Sequence, residues 1–217
     1  MLIWAAALAL CASGAHGALI ALDAGHSPSA PGPKAAATGL AELEYNLALA
    51  EDVRRALEAM GHKVRRIRQN PDPRRRAGEA TGADLLISLH HDALDAKHAA
   101  QAPKVTGFSL FVSRRNRDPQ TSERCAAAIG AKLRGIGLKP SRFHADPVLG
   151  ENLAFADETN GVHYYDELPL ARAAGMPMVM LEAGMISNAA EAKRLAEPAV
   201  RKRIAGAIAQ GIGQCLR

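Results

Sequence analysis

Four side chains of the types that bind metals or move protons stand at separated points of the sequence: His26, Glu42, His90 and Glu182. His26, His90 and Glu182 each follow the end of a predicted apolar strand, and Glu42 stands at the start of a predicted amphipathic helix. If the three strands are parallel neighbours, their carboxyl ends meet at one sheet edge, where ligand sites form in open α/β folds. Glu42 can reach the same edge from its helix.

This set of residue types suits a catalytic zinc site. Two imidazoles and one carboxylate are a known ligand set that leaves a fourth position for water, and a further carboxylate held off the metal is suited to act as general base. The ligands come from separate elements, however, and the chain has no local His-Glu-x-x-His sequence. The residue types alone therefore leave two interpretations open, a metal centre or four unrelated loop and capping residues.

The elements that must position these side chains alternate between strands and helices. Apolar strands are predicted at 19–22, 63–68, 84–89, 107–112 and 176–181, and helices at 43–60, 75–81, 121–133, 167–174 and from 191 onward with a break at Pro198. This alternation favours an α/β sandwich with a largely parallel sheet. Residues 137–166 have no clear period, and we predict a long loop there, with room for one short helix; a loop of this length in a compact domain usually has a function.

Composition excludes several classes of protein. The chain has 217 residues, of which 48% are apolar and 23% are charged, so it is neither a disordered tail nor a collagen-like repeat nor a disulfide-dense mini-protein. A domain of this size folds without a metal, so a bound metal would serve function. The net charge of +5 suits an anionic cell envelope. We expect no nucleic-acid partner, because only 4% of residues are aromatic and could stack on bases.

The first 17 residues are predicted to be a signal peptide. Residues 1–12 are apolar and uncharged, and residues 13–17 supply the small side chains of a cleavage site. The run is too short to be a transmembrane span; the alternative is a buried strand or helix. We therefore expect an exported protein, periplasmic or secreted, with one domain at 18–217, in which Cys125 and Cys215 would be free to pair.

Four blocks stand in order between residues 19 and 195: Leu22-Asp23-Ala24-Gly25-His26, Glu42-Leu43-Glu44-Tyr45-Asn46-Leu47-Ala48, Asp84-Leu85-Leu86-Ile87-Ser88-Leu89-His90-His91-Asp92-Ala93 and Leu181-Glu182-Ala183-Gly184-Met185-Ile186-Ser187-Asn188. Together they resemble the zinc-dependent N-acetylmuramoyl-L-alanine amidases of the Amidase_3 family. The resemblance implies that His26, Glu42 and His90 bind Zn²⁺ and that Glu182 acts in catalysis. It also implies a single domain with a mixed, mostly parallel sheet flanked by helices.

The resemblance further implies the substrate, peptidoglycan, in which the amide between N-acetylmuramic acid and L-alanine would be cut. The alternatives are another zinc peptidase or deacetylase on the same scaffold, or a non-catalytic module that binds the envelope. We expect a monomer, with an activator protein as a further partner. Residues 138–166, which include His144, Glu151, Glu158 and His163, could line a substrate groove, form an inhibitory lid or be a plain connection.

The chain departs from the usual pattern of the family at three places. Ser27-Pro28 follows the first histidine, His91-Asp92 follows His90, and Met185 stands where Phe is usual. His91 is consequently an alternative ligand. We also expect Asp23 and Asp92 either to hydrogen-bond the ligand imidazoles or to cap loops, and Glu44 to be a surface residue near the start of its helix.

Overall fold

The computed structural model describes residues 17–217. The predicted signal peptide therefore lies outside the described residues, apart from Gly17. Within the described range, each helix is too short or too polar to span a lipid bilayer.

Seven strands and six α-helices are formed by residues 17–217. The strands are β1 (Leu19–Ala24), β2 (Lys63–Arg66), β3 (Leu85–Asp92), β4 (Ser109–Val112), β5 (Phe155–Asp157), β6 (Val162–Tyr164) and β7 (Met178–Met185). The helices are α1 (Glu42–Ala59), α2 (Pro73–Glu79), α3 (Pro119–Gly135), α4 (Pro169–Ala173), α5 (Ala189–Ala196) and α6 (Pro198–Cys215), and two 3₁₀ helices span Ala96–Lys104 and Phe143–Ala145.

The strands form one sheet in the order β2-β1-β3-β7-β4-β6-β5. Strands β2, β1, β3 and β7 are parallel to their neighbours. Strand β4 is antiparallel to β7, β6 is parallel to β4, and β5 is antiparallel to β6. The expectation of an α/β fold with a mixed, mostly parallel sheet flanked by helices is therefore confirmed.

One face of the sheet is apolar along most of the central strands. Alternate residues of the central strands, such as Leu22, Ile87 and Leu181, point to this face and are almost completely buried. They pack with apolar side chains of α1, α3 and α6 into the largest cluster of the core. The chain forms long runs of buried apolar residues here because the central strands of a parallel sheet are covered on both sides.

The second face changes from apolar to polar along the strands. Ala21, Leu86 and Met178 form an apolar layer that α2 and α4 cover. Two residues further along β3 and β7, the same face carries Ser88 and Met180, and two residues beyond these it carries His90 and Glu182. This alternation places the candidate site on the second face, towards the carboxyl ends of β3 and β7.

Three details of the predicted elements were wrong. Residues 137–166 contain one short helix, the 3₁₀ helix Phe143–Ala145, but they are not otherwise a loop, because strands β5 and β6 lie at the sheet edge. The 3₁₀ helix Ala96–Lys104 was not predicted. His90 and Glu182 do not follow the ends of their strands but lie inside them, because β3 continues to Asp92 and β7 to Met185.

A disulfide links α3 to α6. Its cysteines are Cys125 and Cys215, whose Cα atoms are 5.0 Å apart. Both residues are buried in the apolar cluster below the sheet. The bond therefore fastens the last helix of the chain to the layer that supports the central strands.

Candidate metal centre

His90 and Glu182 are neighbours across the two central strands. They are paired in the parallel register of β3 and β7, so their side chains leave the same face of the sheet side by side. The register shifts just after this pair, between His90 and Asp92. Such an irregularity re-aims the side chains that follow it.

His26 lies in the turn directly after β1. Its φ of 72° is in the left-handed region, which costs a residue with a Cβ atom about 1 kcal/mol or more. The imidazole Nδ1 lies 3.1 Å from the Ala30 carbonyl oxygen, and because a carbonyl only accepts, Nδ1 is the donor. The hydrogen bond fixes the ring with its Nε2 atom towards Glu42.

Glu42 is the first residue of α1 and is buried with a relative exposure of 4%. The preceding loop orients this helix end, because the Pro33 carbonyl accepts a hydrogen bond from the Glu42 amide. The Glu42 carboxylate also accepts hydrogen bonds from the His91 backbone amide and from Asn46 Nδ2, both at 3.2 Å. These contacts hold the carboxylate between the two histidines.

His26, Glu42 and His90 converge on one point. His26 Nε2 lies 2.7 Å from one carboxylate oxygen of Glu42, and His90 Nδ1 lies 3.0 Å from the other. One potential ligand atom from each residue lies within 4.8 Å of the other two, and no other group of this kind is found among residues 17–217. The three residues predicted as ligands are thus brought together.

The same contacts set the charge of the cluster. Burial acts to raise the pKa of Glu42, but the hydrogen bonds from His26 and His90 outweigh it and hold that pKa well below its usual range. The hydrogen bond to Glu42 raises the pKa of His26, although burial opposes the shift. The carboxylate is therefore ionised, as a metal ligand must be.

Two glycines let the backbone approach the cluster closely. A Cβ atom at Gly25 would lie 2.1 Å from ring atoms of His90. A Cβ atom at Gly32, where φ is 77°, would lie 2.8 Å from both His26 Nε2 and Glu42 Oε2. Neither position can carry a larger residue without displacing a candidate ligand.

Glu182 stands beside the cluster without joining it. Its Oε2 atom is shielded from solvent and has no hydrogen-bond partner among residues 17–217. Burial raises the pKa of Glu182 well above its usual value, and the negative charges of Asp92 and Glu42 add to the effect. A shielded carboxyl with a raised pKa beside a cluster of candidate metal ligands is a candidate for proton transfer.

His91, the alternative ligand, points away from the cluster. Its Nδ1 atom lies 2.8 Å from the side-chain oxygen of Asn46 on α1, and its ring is 3% exposed. Burial lowers the pKa of His91 to about 3, so the ring is neutral. His91 therefore belongs to the packing between β3 and α1.

Asp23 and Asp92 were expected to hydrogen-bond the ligand imidazoles or to cap loops, and this was wrong. Asp23 is fully buried, and its carboxylate accepts hydrogen bonds from Arg76 Nη1 at 2.7 Å and from Ser88 Oγ at 2.6 Å. Asp23 is paired with Ser88 across β1 and β3, and Ser88 lies two residues before His90 on the second face of the sheet. Asp92 accepts a hydrogen bond from His144 Nε2.

Glu44 caps the amino-terminal end of α1. It is exposed, and its carboxylate accepts a hydrogen bond from the Ala41 amide. The prediction of a surface residue near the start of the helix is confirmed.

The four titratable residues predicted in the 138–166 region have different surroundings. His144 is buried between Asp92 and Glu151, which lie 2.6 and 2.7 Å from its two ring nitrogens. Glu158 pairs with Arg142 at the surface. His163 is fully buried against the Phe155 ring, and burial lowers the pKa of His163 to about 4. The contact between His144 and Asp92 was not predicted, because residue types give no sign of a pairing between such distant segments.

Known proteins share this sequence pattern and fold. The chain is 29% identical over 224 residues to AmiC, an N-acetylmuramoyl-L-alanine amidase of Neisseria meningitidis serogroup B, and the match covers 89% of this chain and 51% of AmiC. The chain spans about half the length of the curated relatives it matches. Ami1, an N-acetylmuramyl-L-alanine amidase from Mycobacterium smegmatis, has a similar crystal structure with a TM-score of 0.73 and 21% identity, covering 92% of this chain and 97% of that chain.

A second structural neighbour was solved with a partner. The CwlD amidase from Clostridioides difficile, in complex with the GerS lipoprotein, has a TM-score of 0.67 and 24% identity, with coverage of 92% of this chain and 98% of that chain. The family model described as N-acetylmuramoyl-L-alanine amidase matches residues 20–214. This match extends over nearly the whole described chain and includes all four candidate site residues, and the chain therefore belongs to the Amidase_3 family of N-acetylmuramoyl-L-alanine amidases.

Proposed function

We propose that the chain is a zinc-dependent amidase that hydrolyses the amide between N-acetylmuramic acid and the L-alanine of peptidoglycan. The observation that carries this proposal is the convergence of His26, Glu42 and His90 beside an unpaired carboxyl, Glu182. Membership of the Amidase_3 family supports the choice of bond, because ligand chemistry by itself does not specify a leaving group.

The donor set fits Zn²⁺. Two imidazoles and one carboxylate are a common zinc set, and the low pKa of Glu42 keeps that ligand ionised. The donation from His26 Nδ1 to Ala30 leaves Nε2 as the coordinating atom. When bound, zinc would supply Lewis acidity, which lowers the pKa of an attacking water towards about 7 and polarises the scissile carbonyl.

Glu182 would move the protons. As the water attacks the amide carbon, the Glu182 carboxylate accepts one of its protons. The carboxyl then returns this proton to the amine of L-alanine as the carbon–nitrogen bond breaks. No described residue hydrogen-bonds the Oε2 atom of Glu182, so this oxygen is available to take the proton from the water and to give it back.

The cellular setting is part of the same proposal. Residues 1–17 would be a signal peptide, and residues 18–217 would be the catalytic domain of an exported enzyme, periplasmic or secreted. A positively charged chain suits an anionic envelope. An activator protein would bind the domain, an inference supported by the neighbour that was solved with a lipoprotein.

The test is to express residues 18–217, measure zinc by elemental analysis and digest purified peptidoglycan with and without chelator. We expect about one zinc per chain and chelator-sensitive release of peptides that begin with a free L-alanine, identified by mass spectrometry. Products cut at another amide would indicate a peptidase, and loss of an acetyl group would indicate a deacetylase.

Two other outcomes would change the proposal. Peptidoglycan binding that resists chelator, with no products, would indicate an envelope-binding module. Zinc binding without release, followed by release when a partner is added, would indicate an enzyme that depends on an activator.

A further inference from the structure

A loop closed on itself lies against strands β3, β4 and β7. Residues 143–153 begin and end together, because the Leu153 amide donates to the His144 carbonyl at 2.7 Å. Inside the loop, Asp146 accepts hydrogen bonds from the amides of Val148 and Leu149. These bonds give the 143–153 loop a defined shape of its own.

His144 fastens this loop to the end of β3. Its Nε2 atom lies 2.6 Å from Asp92 Oδ2, and its Nδ1 atom lies 2.7 Å from Glu151 Oε2. Ionised carboxylates only accept hydrogen bonds, so both ring nitrogens must donate, and the imidazole carries a positive charge. A cation between two carboxylates makes two strong hydrogen bonds at once.

Apolar contacts support the same attachment. The His144 ring meets Phe111 of β4 edge to face, with a centroid distance of 4.7 Å. The neighbouring Phe143 packs with Met185 of β7 and Val105 in a small separate cluster. Asp92 of β3 and Met185 of β7 thus both contact the 143–153 loop.

The loop adjoins the strands that carry the candidate site. The His144 ring contacts Phe111, which pairs with Met180 two residues before Glu182 on the same face, and Asp92 stands two residues after His90 on β3. At the tip of the loop Val148 is 73% exposed, and the Glu151 side chain is 50% exposed. The loop therefore presents an open surface next to the face of the sheet from which His90 and Glu182 project.

We propose that the Asp92–His144–Glu151 clamp holds the 143–153 loop as a wall that binds the peptidoglycan chain, with His144 as the positioning residue. The inference rests on the proposed function. Since the wall contacts parts of the substrate away from the reacting amide, its loss weakens binding of substrate and transition state equally. KM therefore rises, while kcat is preserved.

The test compares His144→Gln with the wild type. Gln cannot donate to both carboxylates, and we expect KM for soluble peptidoglycan fragments to rise about tenfold with kcat within about twofold. Glu151→Gln, which weakens only the outer contact, is expected to give a smaller rise in KM. Glu158→Gln is the matched control, because this carboxylate belongs to the same region but pairs with Arg142 at the surface; its KM should not change.

A rescue separates positioning from loss of stability. In the double variant Asp92→Asn with His144→Gln, an uncharged amide pair can hydrogen-bond across the same gap, and KM is expected to recover in part. Melting temperatures and zinc contents are measured for every variant. If His144→Gln does not fold, the KM of Glu151→Gln decides the question.

Binding is also measured without catalysis, by sedimentation of the chain with peptidoglycan sacculi in a Glu182→Gln background. This assay keeps the inference testable if the wild type releases no product, which would contradict only the proposed function. An unchanged KM and unchanged sacculus binding would overturn the clamp proposal, and so would a fall in kcat at constant KM.

Discussion

The imidazoles of His90 and His91 leave opposite faces of β3, and the Nδ1 atom of His91 lies 2.8 Å from the Asn46 side-chain oxygen on α1. Two adjacent histidines therefore have unrelated tasks. His90 belongs to the candidate metal centre, whereas His91 joins the sheet to the helix that carries Glu42.

Replacement of each histidine by alanine should separate these tasks. His90→Ala removes a candidate ligand, so we expect loss of bound zinc and activity with little change in the melting temperature of the metal-free protein. His91→Ala removes a buried ring and its hydrogen bond, so the free energy of unfolding should fall by about 2 to 3 kcal/mol. Zinc content per folded chain should stay the same in His91→Ala. Elemental analysis measures the zinc content of both variants, and urea unfolding measures their stability. If His91→Ala lost its zinc while His90→Ala kept it, His91 would be the ligand in place of His90.

Glu182→Gln should abolish hydrolysis and keep the metal. The amide is close in shape to the carboxyl but cannot accept a proton from water, and we expect activity to fall by at least about 100-fold. Zinc content should equal that of the wild type, because Glu182 lies outside the ligand cluster. Peptide release is followed by mass spectrometry, and a fully active Glu182→Gln would rule out this residue as the base.

Gly25→Ala should impair metal binding, because the added methyl group would lie 2.1 Å from the His90 ring. We expect a higher dissociation constant for zinc, measured by competition with a chelator. Gly78→Ala is the control, since a Cβ atom there meets nothing within 4 Å inside α2. The control should bind zinc normally and gain about 0.5 to 1 kcal/mol in stability. Equal zinc affinity in both variants would contradict the prediction and would mean that the backbone at Gly25 can shift to make room for the methyl group.

Removal of the disulfide should destabilise the fold and leave the chemistry intact. Cys125 and Cys215 are separated by 90 residues, and opening a loop of that length costs about 4 kcal/mol in the loop-entropy account. Cys215→Ser should therefore unfold at lower urea concentration than the oxidised wild type. Its kcat at low temperature should match the wild-type value, and equal stability with and without reductant would show that the bond is not formed in solution.

The charge of His144 makes stability depend on pH. Burial acts to lower the pKa of His144, but hydrogen bonds to Asp92 and Glu151 outweigh it and raise that pKa to about 9, while the buried His163 faces the same ring. Because the folded-state pKa exceeds the unfolded value of about 6.5, the stabilisation is complete below about pH 6.5 and disappears as pH rises through about 9.

The difference in melting temperature between wild type and His144→Gln isolates this effect from other titrations. We expect a clear difference at pH 6 and a much smaller one at pH 10. A difference that does not change over this range would mean that His144 is not charged in the folded protein.

Much of the candidate site follows from the alternation of side chains along the strands. In β3, Leu85, Ile87 and Leu89 face the apolar core, so His91 falls in phase with them and His90 does not. The same alternation along β7 places Glu182 on the face opposite to that of Leu181. Sequence reasoning left His91 open because it treated both histidines as lying beyond the end of the strand, where alternation no longer applies.

The clamp at His144 could not be predicted in this way. The strands β5 and β6 are three residues each, too short to produce a recognisable period, so their region was interpreted as a loop. The pairing of His144 with Asp92 depends on how that region folds back over β4. Likewise, the expectation that Asp23 bonds a histidine or caps a loop missed its ion pair with Arg76, because the position of Arg76 relative to the sheet depends on the packing of α2.

The sheet order divides the proposed catalytic apparatus into an early part and a late part. All three candidate ligands come from the first β-α-β-α-β run of the described residues, which ends with β3, whereas the proposed base lies on β7, which follows the other six described strands in the sequence and inserts between β3 and β4. A nascent chain thus contains the three candidate ligands long before it contains Glu182. In the order of synthesis, the proposed base is added to a chain that already carries its candidate ligands.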